Sequence, residues 1–245
     1  MIRLLVSSKN IHKDMANISD AGQIHHLKDV LRVKAGKSVV IFDEKGLEYP
    51  GIIETILPQG VVVKITRQPE ITAGSRQFRL AVAVAIPKKA KFDDIVDKLT
   101  QLGVDRIIPM ITQRTIVKLD HARAPARVAR WKKIAQSAAE QSQRNDLPVI
   151  DPVKKIEDVV AESAAYDLKL IPALGGKFKS IRQVLEGSRP KKIIVLIGPE
   201  GDFTPGEIEL CLKAGFIPVS MGKRVLRVDT AAIAAASFIM LSVAI

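Results

Sequence analysis

Apolar positions recur with two different periods along this chain, and the change falls near residue 78. Before it, Arg3–Val6, Ser38–Phe42, Glu48–Leu57 and Val61–Thr66 are β-branched or alternating runs. Turn signals at Glu44-Lys45-Gly46 and Pro58-Gln59-Gly60 separate them, so they read as strands. One helix is expected among them, where Asp20-Ala21-Gly22-Gln23 resembles a capping box ahead of Ile24, Leu27 and Leu31 on one face. A strand-rich unit of this length predicts a small β-barrel over residues 1–70. The polar stretch around Pro69 and Gly74 predicts a linker at 71–77.

From Phe78 onward strand and helix patterns alternate. Phe78–Ile86 reads as a strand, and Phe92, Ile95, Val96, Leu99 and Leu102 mark a helix face closed by Gly103. Arg106–Ile111, Asp167–Pro172, Lys192–Ile197 and Phe216–Ser220 supply four more strands, with an amphipathic helix expected from Pro125 to Gln141. Thr204-Pro205-Gly206-Glu207 has the N-cap, proline and acid of a helix start, and Thr230 can cap the apolar helix that follows it. Five strands with helical crossovers predict a mainly parallel α/β sheet, covered on both faces, over residues 78–245.

Charge adds a partner to this picture. The 245 residues carry a net charge of +12, with ten basic and eight acidic residues in 1–75 against 28 and 18 in the remainder. Clusters at Lys118, Arg123, Arg127, Arg130, Lys132 and Lys133, and again from Lys177 to Lys192, favour a polyanion such as nucleic acid. Cysteine is represented by Cys211 alone, set among Ile208, Leu210 and Leu212, which suits a core position rather than a nucleophile or a zinc ligand. No signal-peptide pattern is visible, and the apolar stretch Ala231–Ile245 is too short for a bilayer. A cytoplasmic protein without membrane or metal is therefore expected.

The candidate chemistry lies in two glycine-bearing loops, each closing a strand. Ile193–Ile197 runs into Gly198-Pro199-Glu200-Gly201, and Phe216–Ser220 runs into Met221-Gly222-Lys223-Arg224-Val225-Leu226-Arg227-Val228-Asp229-Thr230-Ala231. Open α/β sheets place ligands at the carboxyl ends of their strands. Neither a P-loop nor a Rossmann turn is present: Gly175-Gly176-Lys177-Phe178-Lys179-Ser180 has the wrong spacing, and the first α/β strand ends in Ile86-Pro87-Lys88-Lys89. The four histidines lack metal-ligand spacing. What remains is a site built mostly of backbone, beside two arginines suited to a phosphate or carboxylate.

Together, Gly198-Pro199-Glu200-Gly201, the loop Met221–Ala231, the helix end Ala139-Glu140-Gln141-Ser142-Gln143-Arg144, and Lys98–Val104 followed by Ile107-Ile108-Pro109 resemble the RsmE-like 16S ribosomal RNA methyltransferases of the SPOUT class. The resemblance spans essentially the whole chain. It implies a small PUA-like RNA-binding β-barrel followed by a SPOUT-type trefoil-knotted parallel sheet domain, and methylation of uridine N3 in the small-subunit RNA. It implies S-adenosylmethionine as cofactor, S-adenosylhomocysteine as product, the small ribosomal subunit as partner, and a homodimer. Cofactor-binding positions carried over are Leu170, Ile171, Pro172, Gly198, Pro199, Glu200, Gly201, Ser220, Met221, Gly222, Arg224, Val225, Leu226, Thr230 and Ala231. Arg144 and Arg227 are expected to hold the substrate phosphate or developing charge. Glu200 is expected either to accept the N3 proton or to order its own loop.

Four positions depart from the family pattern. Asp202 and Gln143 stand where glycine is usual, and Asp229 and Gln101 where glutamate is common. Two other readings remain open from sequence: a SPOUT enzyme acting on ribose 2′-hydroxyl or another base, and a non-catalytic RNA-binding assembly factor.

Overall fold

The alternation of buried Val61 and Val63 with the more exposed Val62 and Lys64 is what a half-buried strand requires, and the first part of the chain is built of such strands. The computed structural model describes residues 2–67, 70–71 (backbone only), 78–88, 91–116, 123–173, 176 and 178–243. Most of the expected linker, and Lys118, Gly175 and Lys177, lie outside the described residues. The chain divides into two compact units, Met1–Ser75 with Ala139–Leu147, and Arg76–Ala138 with Pro148–Ile245.

In the first unit β1 (Ile2–Leu5), β2 (Ile11–His12), β3 (Met15–Ile18), β4 (Ser38–Phe42), β5 (Leu47–Leu57), β6 (Gly60–Ile65) and β7 (Glu70–Ile71) make one sheet. Its order is β1-β4-β5-β6-β3-β2 with β7 on β5, and every pair is antiparallel except β1 with β4. Leu4, Ile18, Leu27, Ile41, Ile53 and Val63 form its core. The β2–β3 hairpin has no counterpart in the strand pattern read from sequence. Its turn holds Lys13 at φ 48°, so no turn glycine announced it.

Half of the expected capping box forms. Asp20 accepts the Gln23 N–H at 2.9 Å at the start of α1 (Ala21–His25), but Gln23 does not reach back. Its Nε2 instead donates to the Leu5 carbonyl at 2.9 Å and to Glu140 at 2.8 Å. A π-helical turn, His26–Val30, follows α1. The wider winding rotates the next position off the apolar face, so Leu27 is buried while Leu31 is 42% exposed.

The second unit contains β8 (Arg79–Ala85), α2 (Lys91–Gln101), β9 (Arg106–Ile111), β10 (Val149–Ile150), β11 (Lys154–Lys155), β12 (Leu168–Pro172), β13 (Lys192–Ile197) and β14 (Ile217–Val219). Its other helices are α3 (Ala124–Gln141), α4 (Ile156–Ala161), α5 (Ile181–Leu185), α6 (Pro205–Lys213) and α7 (Val228–Val243). The last turn of α3, from Ala139, belongs to the first unit.

The sheet order is β10-β9-β8-β13-β12-β14, with β11 also on β9, and all pairs are parallel. The strands alternate into two cores. Leu80, Val82 and Val84 pack with Trp131, Ala135, Ala235 and Ile239 on one face, while Ala81, Ala83 and Ala85 meet Ile156, Val159, Cys211 and Phe216 on the other. Both faces are thus covered, as the near-continuous apolar strands require.

Gly103 ends α2 at φ 89°, where the Val104 N–H returns to the Leu99 carbonyl at 3.0 Å. Thr230 is not a cap. The Ala231 N–H bonds the Arg227 carbonyl at 2.8 Å, so the first turn of α7 opens at Arg227 and already contains Thr230. Small Ala232, Ala235 and Ala236 let α7 pack closely against α2 and α5. No helix among the described residues is long and apolar enough to cross a membrane.

Candidate active site

Because β8, β12, β13 and β14 all run parallel, the loops that follow them emerge at one edge of the sheet. There the loops after β12, β13 and β14 line one cleft that opens to solvent. Pro172 and Ala173 contribute from the end of β12, Gly198, Pro199 and Glu200 from β13, and Met221, Gly222, Arg224, Val225, Leu226 and Ala231 from the second glycine loop and α7. Ten of the fifteen cofactor positions expected from sequence therefore line one space. Ile197, Ala173, Asp202 and Val228 also line it and were not among the cofactor positions expected from sequence. Their signal was adjacency to the loops, which is weak.

Five expected positions do not line that cavity. Leu170 and Ile171 are wholly buried, one in each core, and so anchor β12 between the two faces of the sheet. Ser220 pairs with Ser180, its N–H bonding the Lys179 carbonyl at 2.9 Å. Thr230 sits in the first turn of α7, and Gly201 lies behind the loop, where its carbonyl accepts from Arg114 at 2.6 Å.

The glycines serve different ends. A Cβ at Gly198 would lie 3.0 Å from the Phe203 ring, and one at Gly201 would lie 3.4 Å from Arg114 Cδ. At Gly198 the Phe203 ring crowds that space, whereas at Gly201 the distance to Arg114 is an ordinary van der Waals contact. Gly222 is the reverse: its φ is 106° and a Cβ there would meet no atom within 4 Å, because the position faces the open cleft.

The first loop is tied to its surroundings. Glu207, buried in the first turn of α6, accepts the Thr204 N–H at 2.8 Å in the full capping box and the Gln113 N–H at 2.8 Å from the end of β9. Glu200 accepts the Lys88 N–H at 3.3 Å, joining the ends of β8 and β13. Asp202 closes the turn at φ 59°, with its N–H on the Pro199 carbonyl at 2.9 Å. Cys211, on the inward face of α6, is wholly buried, and burial, helped by Glu207, pushes its thiol up to about 12, which removes it as a nucleophile.

Arg224 and Arg227 carry no ion pair among the described residues, and both are exposed. A second cavity shares Glu200 and Val228 with the first and adds Pro87, Lys88, Lys91, Arg227 and Asp229. Arg144 belongs to the first unit. Its buried guanidinium holds Asp146 at 2.8 and 3.3 Å, so it has a structural partner already. No cluster of metal-ligating side chains occurs among the described residues.

Comparison with known proteins fits this geometry. Residues 75–240 match the model of an RNA methyltransferase domain, and residues 18–66 that of an RNA methyltransferase PUA domain. A Bacillus subtilis relative, ribosomal RNA small subunit methyltransferase E, is 30% identical over 225 residues, covering 89% of this chain and 86% of its own. The chain belongs to the ribosomal RNA small subunit methyltransferase E family. Its architecture is the family's, a PUA-like domain followed by a parallel α/β domain. The enzyme of the same name from Neisseria gonorrhoeae, solved bound to S-adenosyl methionine, superposes with a TM-score of 0.87 at 28% identity, covering 98% of this chain and 97% of its own. A Legionella pneumophila methyltransferase solved with bound S-adenosylmethionine gives 0.89 at 30% identity over 98% and 97% of the two chains.

Proposed function

We propose that the chain transfers a methyl group from S-adenosylmethionine to N3 of a uridine in 16S ribosomal RNA. The observation that carries this reading is one cleft formed by both glycine loops, with two arginines beside it that have no ion pair among the described residues. The cofactor, when bound, supplies an electrophilic methyl group on a sulfonium. The residues present fit it: apolar Ile197, Leu226 and Val228 offer a surface for an adenine ring, main chain at Gly198 and Gly222 offers hydrogen bonds, and Gly222 leaves open the space a Cβ would take. Pro172 and Ala231 close the wall. Loops set at the ends of buried strands hold such a ligand with little reorganisation, and positioning can supply much of the rate in an in-line transfer. The knotted course implied by the family resemblance is consistent with loops held this way.

The substrate side is basic. Arg224 and Arg227 offer donors to a phosphate or to charge developing on the ring, and Arg123 just before α3 and Arg127, Arg130, Lys132 and Lys133 along it are exposed as a track for RNA. Exposed Val225, Phe238 and Leu241, at the second loop and on α7, are the apolar groups a second copy of the chain would cover in a homodimer. The decisive experiment incubates the protein with labelled S-adenosylmethionine and unmethylated small subunits, then analyses nucleosides. N3-methyluridine is the expected product. Methylated ribose would move the assignment to a 2′-hydroxyl enzyme, and RNA binding without any transfer would point to an assembly factor.

A further inference from the structure

The second cavity lies beside the first and is lined by five charged side chains. Lys88, Lys91 and Arg227 face it together with Glu200 and Asp229. Asp229 is the unusual member. Its Oδ2 lies 3.4 Å from Lys91 Nζ, while its Oδ1 is buried without a hydrogen-bond partner among the described residues. A buried carboxylate oxygen lacking a donor is costly, and native structures keep few of them. A donor that arrives with a ligand explains it. Glu200 differs, because it is exposed and already accepts the Lys88 N–H.

Uracil presents a carbonyl, an N–H and a second carbonyl along its imide edge. A carboxylate flanked by cations is complementary to that edge, the acid facing N–H and the cations facing oxygen. Cytosine presents a lone pair at N3, which the same carboxylate would repel. Resting on the reading of uridine N3 as the target, we propose that Asp229 recognises the N3–H of the uracil and accepts its proton. The proton passes to the Asp229 carboxylate, and the electron pair freed on N3 forms the bond to the methyl carbon. The pair of the donor's S–CH3 bond stays on sulfur. Lys91 and Arg227 then stabilise the charge that develops on the ring oxygens. The groups facing Asp229 across the cavity are Lys88, Lys91, Arg227 and Glu200.

The test uses the full chain with Asp229→Asn, Asp229→Glu and Lys91→Met. It measures melting, cofactor affinity by calorimetry, and single-turnover methylation of unmethylated small subunits at saturating cofactor. Asp229→Asn should bind cofactor within about twofold of wild type and lose about 100-fold or more in rate, the usual scale for a general base. Its residual rate should climb with pH where the wild-type rate levels off, which a structural role would not produce. Asp229→Glu should stay within about tenfold of wild type, and Lys91→Met should lose about tenfold. Asp229→Asn making N3-methyluridine within about threefold of wild type would overturn the assignment and leave the N3 reading standing. A wild-type product methylated elsewhere would overturn both. Should Asp229→Asn lose cofactor binding, Asp229→Glu decides: retained activity supports the proposal, and a folded, cofactor-binding but inactive Asp229→Glu overturns it.

Discussion

The two glycine loops line the same cleft and are built in opposite ways. The loop after β13 is fastened from three sides: Arg114 holds the Gly201 carbonyl, Lys88 N–H meets Glu200, and Phe203 packs where Gly198 has no Cβ. The loop after β14 is anchored only at its start, where Ser220 bonds Lys179 and the Gly222 N–H reaches Ser220 Oγ at 3.2 Å. From Lys223 to Leu226 no bond is made among the described residues, and Val225 is 74% exposed. The first loop is a preformed wall. The second presents Arg224 and Arg227 without ion pairs among the described residues, together with the exposed apolar side chain of Val225. Rigid support belongs where affinity depends on preorganisation, and adaptable contact where several partners converge.

The largest break of this contrast should come from Glu207. Its buried carboxylate takes the Gln113 and Thr204 N–H groups, so Glu207→Ala leaves both donors without that partner. That should lower the stability of the second unit by about 2–3 kcal/mol. Thermal melting read beside cofactor affinity checks it. Melting that stays within a degree of wild type would mean the first loop is not held from beneath.

A paired glycine experiment is next in size. Gly198→Ala puts a methyl group 3.0 Å from Phe203 Cε2, which should cost about 1–3 kcal/mol of stability by overpacking. Phe203→Leu in the same chain should recover part of it. Gly222→Ala meets no atom but must hold φ 106°, so about 1–2 kcal/mol of strain is expected there. Since that loop is free to readjust, the loss should appear as roughly tenfold weaker cofactor binding with little change in melting. Equal melting losses in both variants would erase the distinction between wall and loop.

Much of this was legible beforehand, for physical reasons. Buried parallel strands announce themselves as apolar runs, and glycines after them mark a sheet edge, so the cleft and most of its lining could be read from Ile193–Gly201 and Phe216–Gly222. The opening of α7 at Arg227 was not, because Thr230 is a good cap wherever one is needed and only the Ala231 N–H bond shows it was not used. The π-turn that exposes Leu31 follows from backbone winding, which apolar spacing does not encode. Nor does periodicity reveal that the end of α3, from Ala139, belongs to the first unit, since Glu140 earns its place there through Leu5 and Gln23, far away in sequence. Asp229 stood out in the sequence only as a departure from the expected glutamate, with no role assigned, for a similar reason. Its buried oxygen is a property of the folded first turn.

The smallest effect concerns the two positions where the sequence resemblance leads to an expectation of glycine. Asp202 and Gln143 both adopt left-handed backbone, at φ 59° and 58°. That conformation costs an L-residue about 1–2 kcal/mol, and a glycine placed there gives back about 0.4–1 kcal/mol through the greater freedom of the unfolded chain. Gln143→Gly should therefore stabilise the first unit by about 0.5–1 kcal/mol. Asp202→Gly should gain less, because aspartate tolerates left-handed backbone better and its Oδ1 accepts the Phe203 N–H at 2.8 Å. Chemical denaturation of both variants measures the difference. A stabilised Asp202→Gly that binds cofactor more weakly would show that the side chain closing the first loop, and not its backbone alone, shapes the cleft. A destabilised Gln143→Gly would remove backbone strain as the reason glycine is usual at that position.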